Sequence, residues 1–285
     1  MTTFNRFDLV RLMFASWVFI YHAVVLSSAQ PGGAVEGGLA VLAELSIQGF
    51  FIVSGALVFG SYERSRNLAD YAEKRVRRLY PAYAVVILIP AALAGFHALQ
   101  TDHSMMDVLR YIGANLVFLN FLEPNLPGFF EGQRFTEVNG ALWTLKIEVM
   151  FYMALPMIAW GLAKLGKYWW MGIAGLVMSA FAWIELMLAF DHPLSPVLAR
   201  QLPGQMMYFA AGIALWKIWP VAQAQATWFG IIGGVALMLS LLVPGLEALR
   251  VLGLAGLVAG LAFGPGPAMN VASYGDVSYG IYIVH

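Results

Sequence analysis

Residues 39–61 read LAVLAELSIQGFFIVSGALVFGS, and residues 62–79 read YERSRNLADYAEKRVRRL. The first run is mainly apolar and long enough to cross a bilayer as a helix, which takes about 20 residues. The second is a polar break that holds Arg64, Arg66, Lys74, Arg75, Arg77 and Arg78 against Glu63, Asp70 and Glu73. Outward from this pair, further apolar stretches lie near 9–29, 80–99, 109–122, 139–163, 169–190, 202–219, 228–246 and 248–264, and a tenth begins near 272. Gly/Pro clusters such as Pro31-Gly32-Gly33, Pro244-Gly245 and Pro265-Gly266-Pro267 separate them. No separator is long enough to be a soluble domain. The expected fold is therefore all-α: one membrane-embedded domain over 1–285, a polytopic bundle of about ten transmembrane helices.

Composition agrees. Charged residues make up 11% of the 285, against about 25% in soluble domains. Hydrophobic residues reach 60%, and mean hydropathy is +0.73. Formal net charge is zero. These values exclude a disordered chain and a nucleic-acid binder with a basic face. The absence of cysteine excludes thiolate metal sites, disulfides and a cysteine nucleophile. No metal-spaced histidine cluster, phosphate-cradling glycine loop or nucleophile elbow is present.

The basic segment 62–79 sets the expected orientation. Loops 30–38 and 100–107 carry no Lys or Arg, so 62–79 and the N-terminus are expected on the cytoplasmic side of the cell inner membrane. Basic residues further along do not decide between a full crossing and a re-entrant piece for 109–122. At the N-terminus, Arg6, the apolar Leu12–Tyr21 core and Ser27-Ser28-Ala29 also fit a cleaved signal peptide. Asp8, Arg11 and His22 crowd that core, which favours an uncleaved first helix.

Ionisable groups inside a membrane cost free energy, so each one marks a candidate site. Arg11 and His22 stand eleven residues apart, almost three full turns, on one helix face about 16 Å apart along the axis. Asp8 shares that face. Such a stripe suits an extended substrate with an anionic head. Equally, Arg11 can snorkel to lipid phosphate while His22 makes one interhelical hydrogen bond. Arg75 and Arg78 project from one side of a helix expected to end before Pro81, where two guanidinium forks either grip phosphates or anchor topology. Glu148 is a carboxylate in an apolar span and needs a partner, with Trp143 and Tyr152 nearest in sequence. Lys146 falls on a different face. Ser278, Tyr282 and His285 form a polar stripe at i, i+4 and i+7. The glycines at 230–234 and at Gly256 and Gly260 are assigned to helix packing. His97, His103 and His192 lie near loops and are expected to be solvated.

These pieces occur in an order that resembles the acyltransferase 3 family of integral membrane acyltransferases, which includes O-antigen acetylases. Asp8-x-x-Arg11 followed by Tyr21-His22 resembles its first-helix signature, and Gly49-Phe50-Phe51-Ile52-Val53-Ser54-Gly55 its second-helix motif. Arg75-x-x-Arg78-Leu79-Tyr80-Pro81 is similar to its Arg-x-x-Arg-x-x-Pro element. Leu142-Trp143-Thr144-Leu145-x-x-Glu148 followed by Phe151-Tyr152 is similar to its Leu-Trp-Ser-Leu-x-x-Glu motif, with Thr for Ser. Ser278-Tyr279-x-x-Tyr282-x-x-His285 resembles its last-helix element.

The resemblance implies ten helices and transfer of an acyl group, usually acetyl, from cytoplasmic acyl-CoA to a carbohydrate hydroxyl. It implies His22 as the base or transient acyl carrier, with Glu148 orienting it. Arg11, Arg75 and Arg78 would hold the donor, and Asp8, Ser54, Trp143, Tyr152, Ser278, Tyr282 and His285 would support the site. No bound cofactor and no metal are expected; acyl-CoA is a substrate, and the partners are the bilayer, the donor and the glycan acceptor. The family's last helix usually continues past the Tyr-x-x-His, so this one is expected to be truncated. The competing class is a lipid-linked glycan flippase or exporter, which needs buried charges but no grip on acyl-CoA.

Overall fold

A computed structural model describes residues 6–27, 32–190, 192–266 and 277–284. Every regular element among them is helical: α1 (Phe7–Leu26), α2 (Ala34–Glu63), α3 (Leu68–Ala98), α4 (Met105–Leu116), α5 (Leu142–Leu165), α6 (Trp169–Ala189), α7 (Ser195–Ala199), α8 (Leu202–Lys217), α9 (Trp219–Ala224), α10 (Ala226–Leu242), α11 (Leu249–Phe263) and α12 (Val277–Val284). Among the described residues, α1, α2, α3 and the continuous run Leu142–Ala189, which joins α5 to α6 through one 3₁₀ turn, are long and apolar enough to cross a membrane. Two shorter apolar helices, α10 and α11, follow.

The long second helix organises the bundle. α2 packs against α1 and α8, α8 continues the layer to α6, and α1 also meets α11 and α12. Backbone contact replaces side-chain interdigitation where α2 crosses α8. A Cβ built on Gly212 falls 2.0 Å from the Ile52 carbonyl oxygen, and one on Gly55 falls 2.2 Å from that of Phe209. Any larger residue at either position would push the two helices apart. The first helix is built into the bundle. Phe7, Val10, Phe14, Ala15 and Val18 are buried, and the Phe7 ring stacks on Trp219 with centroids 5.2 Å apart.

One sequence expectation changes, and one open alternative narrows. The helix that carries Arg75 and Arg78 does not stop before Pro81; α3 runs through both Pro81 and Pro90. A proline deprives the carbonyl four residues earlier of its partner. For Pro81 that carbonyl belongs to Arg77, at an exposed turn, where solvent or lipid headgroups can satisfy it. The stretch 109–122 forms only α4, which has 12 residues. At 1.5 Å per residue that is about 18 Å, short of a crossing. The helix gives way at Phe118, whose φ of 64° breaks the right-handed turn, and the chain then runs without helix to α5. The last helix, α12, has 8 residues, and His285 lies outside the described residues.

Candidate active site

Glu148 lies two turns into α5, half-buried. Its Oε1 accepts hydrogen bonds from the hydroxyl of Tyr152, one turn further on, and from Ser54 Oγ on α2 at 3.4 Å. Of the two partners nearest in sequence, Tyr152 is therefore the one used; Trp143 packs against the core. Lys146 points elsewhere, with its ammonium 4.7 Å from the centroid of Phe121.

Around this carboxylate lies a cavity of about 50 Å³. Arg11 from α1 and Arg78 from α3 line it, with Ser54, Thr144, Tyr152 and Tyr282. Arg11 is 8% exposed and has Asp8 3.8 Å away, one turn earlier on the same helix. Tyr282 contributes from α12. Its hydroxyl shares a 2.5 Å hydrogen bond with Thr144, and its ring meets Phe50 edge to face at 5.2 Å. Ser278, one turn back, is buried. Five helices distant in sequence thus bring two guanidinium groups, a carboxylate and the hydroxyls of Ser54, Thr144, Tyr152 and Tyr282 to one small space inside an apolar bundle. Desolvated charges in such a place are costly unless they face one another or a ligand.

Two expected members of this cluster lie apart from it. His22 lines a separate cavity of about 270 Å³ with Tyr21, Val25, Phe135, Glu137 and Asn139. An expectation that His22, Arg11 and Glu148 share one cavity is therefore corrected. Being almost three turns apart puts Arg11 and His22 at the same azimuth but about 16 Å apart in depth. Over that depth α1 packs against α12. Asn139, on the His22 side, donates to Ile283 O at 2.8 Å, and the neighbouring Tyr282 closes the Glu148 side. Arg75 is the second exception. It is turned to the other side of Tyr152, with Nη2 donating to Ser61 Oγ at 3.0 Å and its guanidinium over the rings of Tyr71 and Tyr152 at 5.9 and 5.7 Å.

His22 has geometry suited to a base. Its Nδ1 lies 2.9 Å from the Val18 carbonyl oxygen, an acceptor. The Nδ1 position must then carry the proton, which leaves the lone pair of the neutral ring on Nε2. Among the described residues no group of three or more metal-ligating side chains occurs.

Sequence reasoning passed over several residues. Tyr279 lines the Glu148 cavity and donates to Leu79 O at 2.9 Å. Glu137 and Asn139 wall the His22 cavity from the segment that follows α4. A second polar group, Glu44 with Arg250 at 3.7 Å and Gln48 at 3.1 Å, ties α2 to α11. The Tyr279-x-x-Tyr282 spacing was the available signal for Tyr279. Arg250 follows a Pro-Gly break and so resembles a loop charge.

The comparisons with known proteins bear on this geometry. The chain is 27% identical to nodulation protein 10 of Rhizobium leguminosarum bv. viciae over 99% of its own length and 82% of that protein's. It is 25% identical to an O-acetyl transferase of Shigella phage Sf6 over 78% of its own length, and it spans 66% of that protein. No solved structure matches it. The family model described as an acyltransferase domain, acyltransferase 3, matches residues 4–285, and this membrane-type bundle with its charged cavity belongs to the acyltransferase 3 family.

Proposed function

We propose that this membrane acyltransferase moves an acyl group, usually acetyl, from cytoplasmic acyl-CoA to a carbohydrate hydroxyl, in the inner membrane with its N-terminus in the cytoplasm. The observation that carries the proposal is the meeting of Arg11 and Arg78 with Glu148 in one cavity. Two guanidinium forks suit the phosphates of a CoA head, and guanidinium pairs phosphate bidentately. The similarity to an O-acetyl transferase supports a hydroxyl acceptor.

In this mechanism Arg78 and Arg11 hold the donor, and its thioester arm runs past Tyr282 towards the His22 cavity. His22 Nε2 takes the proton of the acceptor hydroxyl as its oxygen attacks the thioester carbonyl carbon. The C–O bond forms, the C–S bond breaks, and the thiolate of CoA leaves with the proton returned by the imidazolium. Glu148, bonded by Tyr152 and Ser54, offsets the charge of the two arginines when the site is empty. Asn139, Thr144 and Tyr282 form the wall the arm must pass, so a rotation of the Tyr282 ring joins the two cavities. The test is direct. Purified protein given isotopically labelled acetyl-CoA and a glycan acceptor should yield an O-acyl ester that mass spectrometry detects and mild base removes. Binding of glycan without ester formation and without release of free CoA overturns the proposal.

A further inference from the structure

Behind Tyr152 lies a second space that the acyl-transfer mechanism does not use. It is a groove of about 530 Å³ between α3 and α5, floored by Leu79 and Tyr152 and flanked by Tyr80, Phe118, Met153 and Met157. Tyr71 Oη donates to Tyr152 O at 3.1 Å, and around this contact the two helices part. Met153 and Met157 are 67% and 76% exposed, so the groove opens sideways towards the bilayer. Among its lining residues Arg75 is the one charge.

Arg75 is held in place with capacity to spare. Ser61 takes one nitrogen, and the rings of Tyr71 and Tyr152 fix the plane of the guanidinium. Its Nε is buried and has no hydrogen-bond partner. A buried donor left unsatisfied is costly, and a guanidinium has five donors suited to phosphate oxygens.

We propose that this groove is a binding site for an anionic phospholipid of the bilayer, with its phosphate on Arg75 and an acyl chain along Leu79, Tyr80 and Phe118. The chemistry matches at both ends: one fixed cation lining the groove, and an apolar trough that opens to lipid. The lipid would press on the face of Tyr152 opposite the Glu148 cavity. The site is independent of the identity of the acyl donor or acceptor.

The test uses the whole protein, delipidated in neutral detergent and titrated with phosphatidylglycerol and phosphatidylcholine of identical chains, with bound lipid counted by native mass spectrometry. Phosphatidylglycerol should bind about fivefold more tightly, the order expected for one basic side chain meeting an anionic headgroup. Arg75→Gln should erase that preference and leave phosphatidylcholine binding as it was. Met153→Trp, which fills the trough, should weaken both lipids. If Arg75→Gln fails to fold, Arg75→Lys serves in its place and should retain a preference for the anionic lipid. The proposal is overturned if the preference survives Arg75→Gln in a folded protein, or if inorganic phosphate occupies the site as well as the lipid does. Displacement of phosphatidylglycerol by acyl-CoA, one for one, would also overturn it by assigning the groove to the donor.

Discussion

The hairpin of α10 and α11 and the cluster of α1, α2, α5 and α12 solve opposite problems within one bundle. In the hairpin the two backbones touch. A Cβ built on Gly260 falls 2.4 Å from Gly230 Cα, and one on Gly233 falls 2.5 Å from Leu257 N. No side chain fits between them, so no chemistry does. In the cluster, Tyr, Phe, Arg and Glu hold the helices far enough apart to leave two cavities. Lipid tails are as apolar as leucine, so membrane helices associate through close packing and polar contacts. Here glycine contacts hold the hairpin together along its length, while polar contacts shape the cluster, whose α2 meets α8 through a glycine contact of its own at Gly55 and Gly212. Substitutions should accordingly fall into two classes, one affecting turnover and the other assembly.

The largest effect should come from His22→Ala. Loss of a general base costs typically 10²–10⁴-fold in rate. Turnover should fall by about that factor while acyl-CoA affinity holds, because the arginines proposed to bind the donor line the other cavity. A variant that transfers acyl groups at the wild-type rate would remove His22 from the mechanism. The mirror image is Arg78→Ala. Hydrogen bonds to charged groups contribute about 1.5–3 kcal/mol, so KM for acyl-CoA should rise about ten- to a hundredfold with a smaller change in kcat. A change confined to kcat would mean that Arg78 acts on the reacting atoms and not on the donor's head.

Gly260→Leu tests the other region. Forcing side-chain volume into a tight contact costs about 1–3 kcal/mol, and the obstructing atoms at Gly260 are backbone. Melting temperature and membrane yield should drop, while the surviving protein keeps its wild-type KM for the donor. A changed KM would show that the hairpin and the cavities are one cooperative unit.

What the sequence made legible follows the same division. Hydrophobic length marks crossing helices because a bilayer's thickness demands it, so α1, α2 and the runs leading into α3, α5 and α6 could be read directly. The glycines of α10 and α11 were readable as contacts because close approach leaves no other choice of residue. Proline misled at Pro81, since its penalty in water shrinks where the freed carbonyl finds another partner. The 109–122 stretch stayed open because an apolar run of that length is equally a buried half-helix. Arg11 and Glu148 stood out because charge inside a membrane is rarely incidental. The partition of the site did not, because helical periodicity reports the azimuth of Arg11 and His22 but not what packs between their levels. That packing is supplied by Asn139 and Tyr282, 143 residues apart in sequence. The split between Arg75 and Arg78 was hidden for a related reason. Residues three apart diverge by about 60° around a helix, and the side chain of Tyr152 stands between them.

The smallest effect concerns the segment that walls the His22 cavity. Arg134, just before Phe135 and Glu137, forms a two-pronged ion pair with Glu36 at the start of α2, at 3.0 and 2.8 Å. Both partners reach solvent, and exposed pairs contribute only about 0.2–1 kcal/mol. Glu36→Gln should therefore leave the melting temperature nearly unchanged. Its effect should appear in acceptor recognition, because Phe135, Glu137 and Asn139 face His22 from the segment this pair holds. Loosening the wall should raise KM for the acceptor by about fivefold at most, the factor equivalent to 1 kcal/mol, and leave KM for acyl-CoA alone. Raising ionic strength should reproduce the shift in the wild-type protein and add nothing to Glu36→Gln, since the screened interaction is already gone. The charge-swapped pair Glu36→Arg with Arg134→Glu should restore acceptor affinity. If donor KM moves in its place, the loop after α4 belongs to the Arg11–Arg78 cavity, and the division of donor and acceptor between two chambers fails.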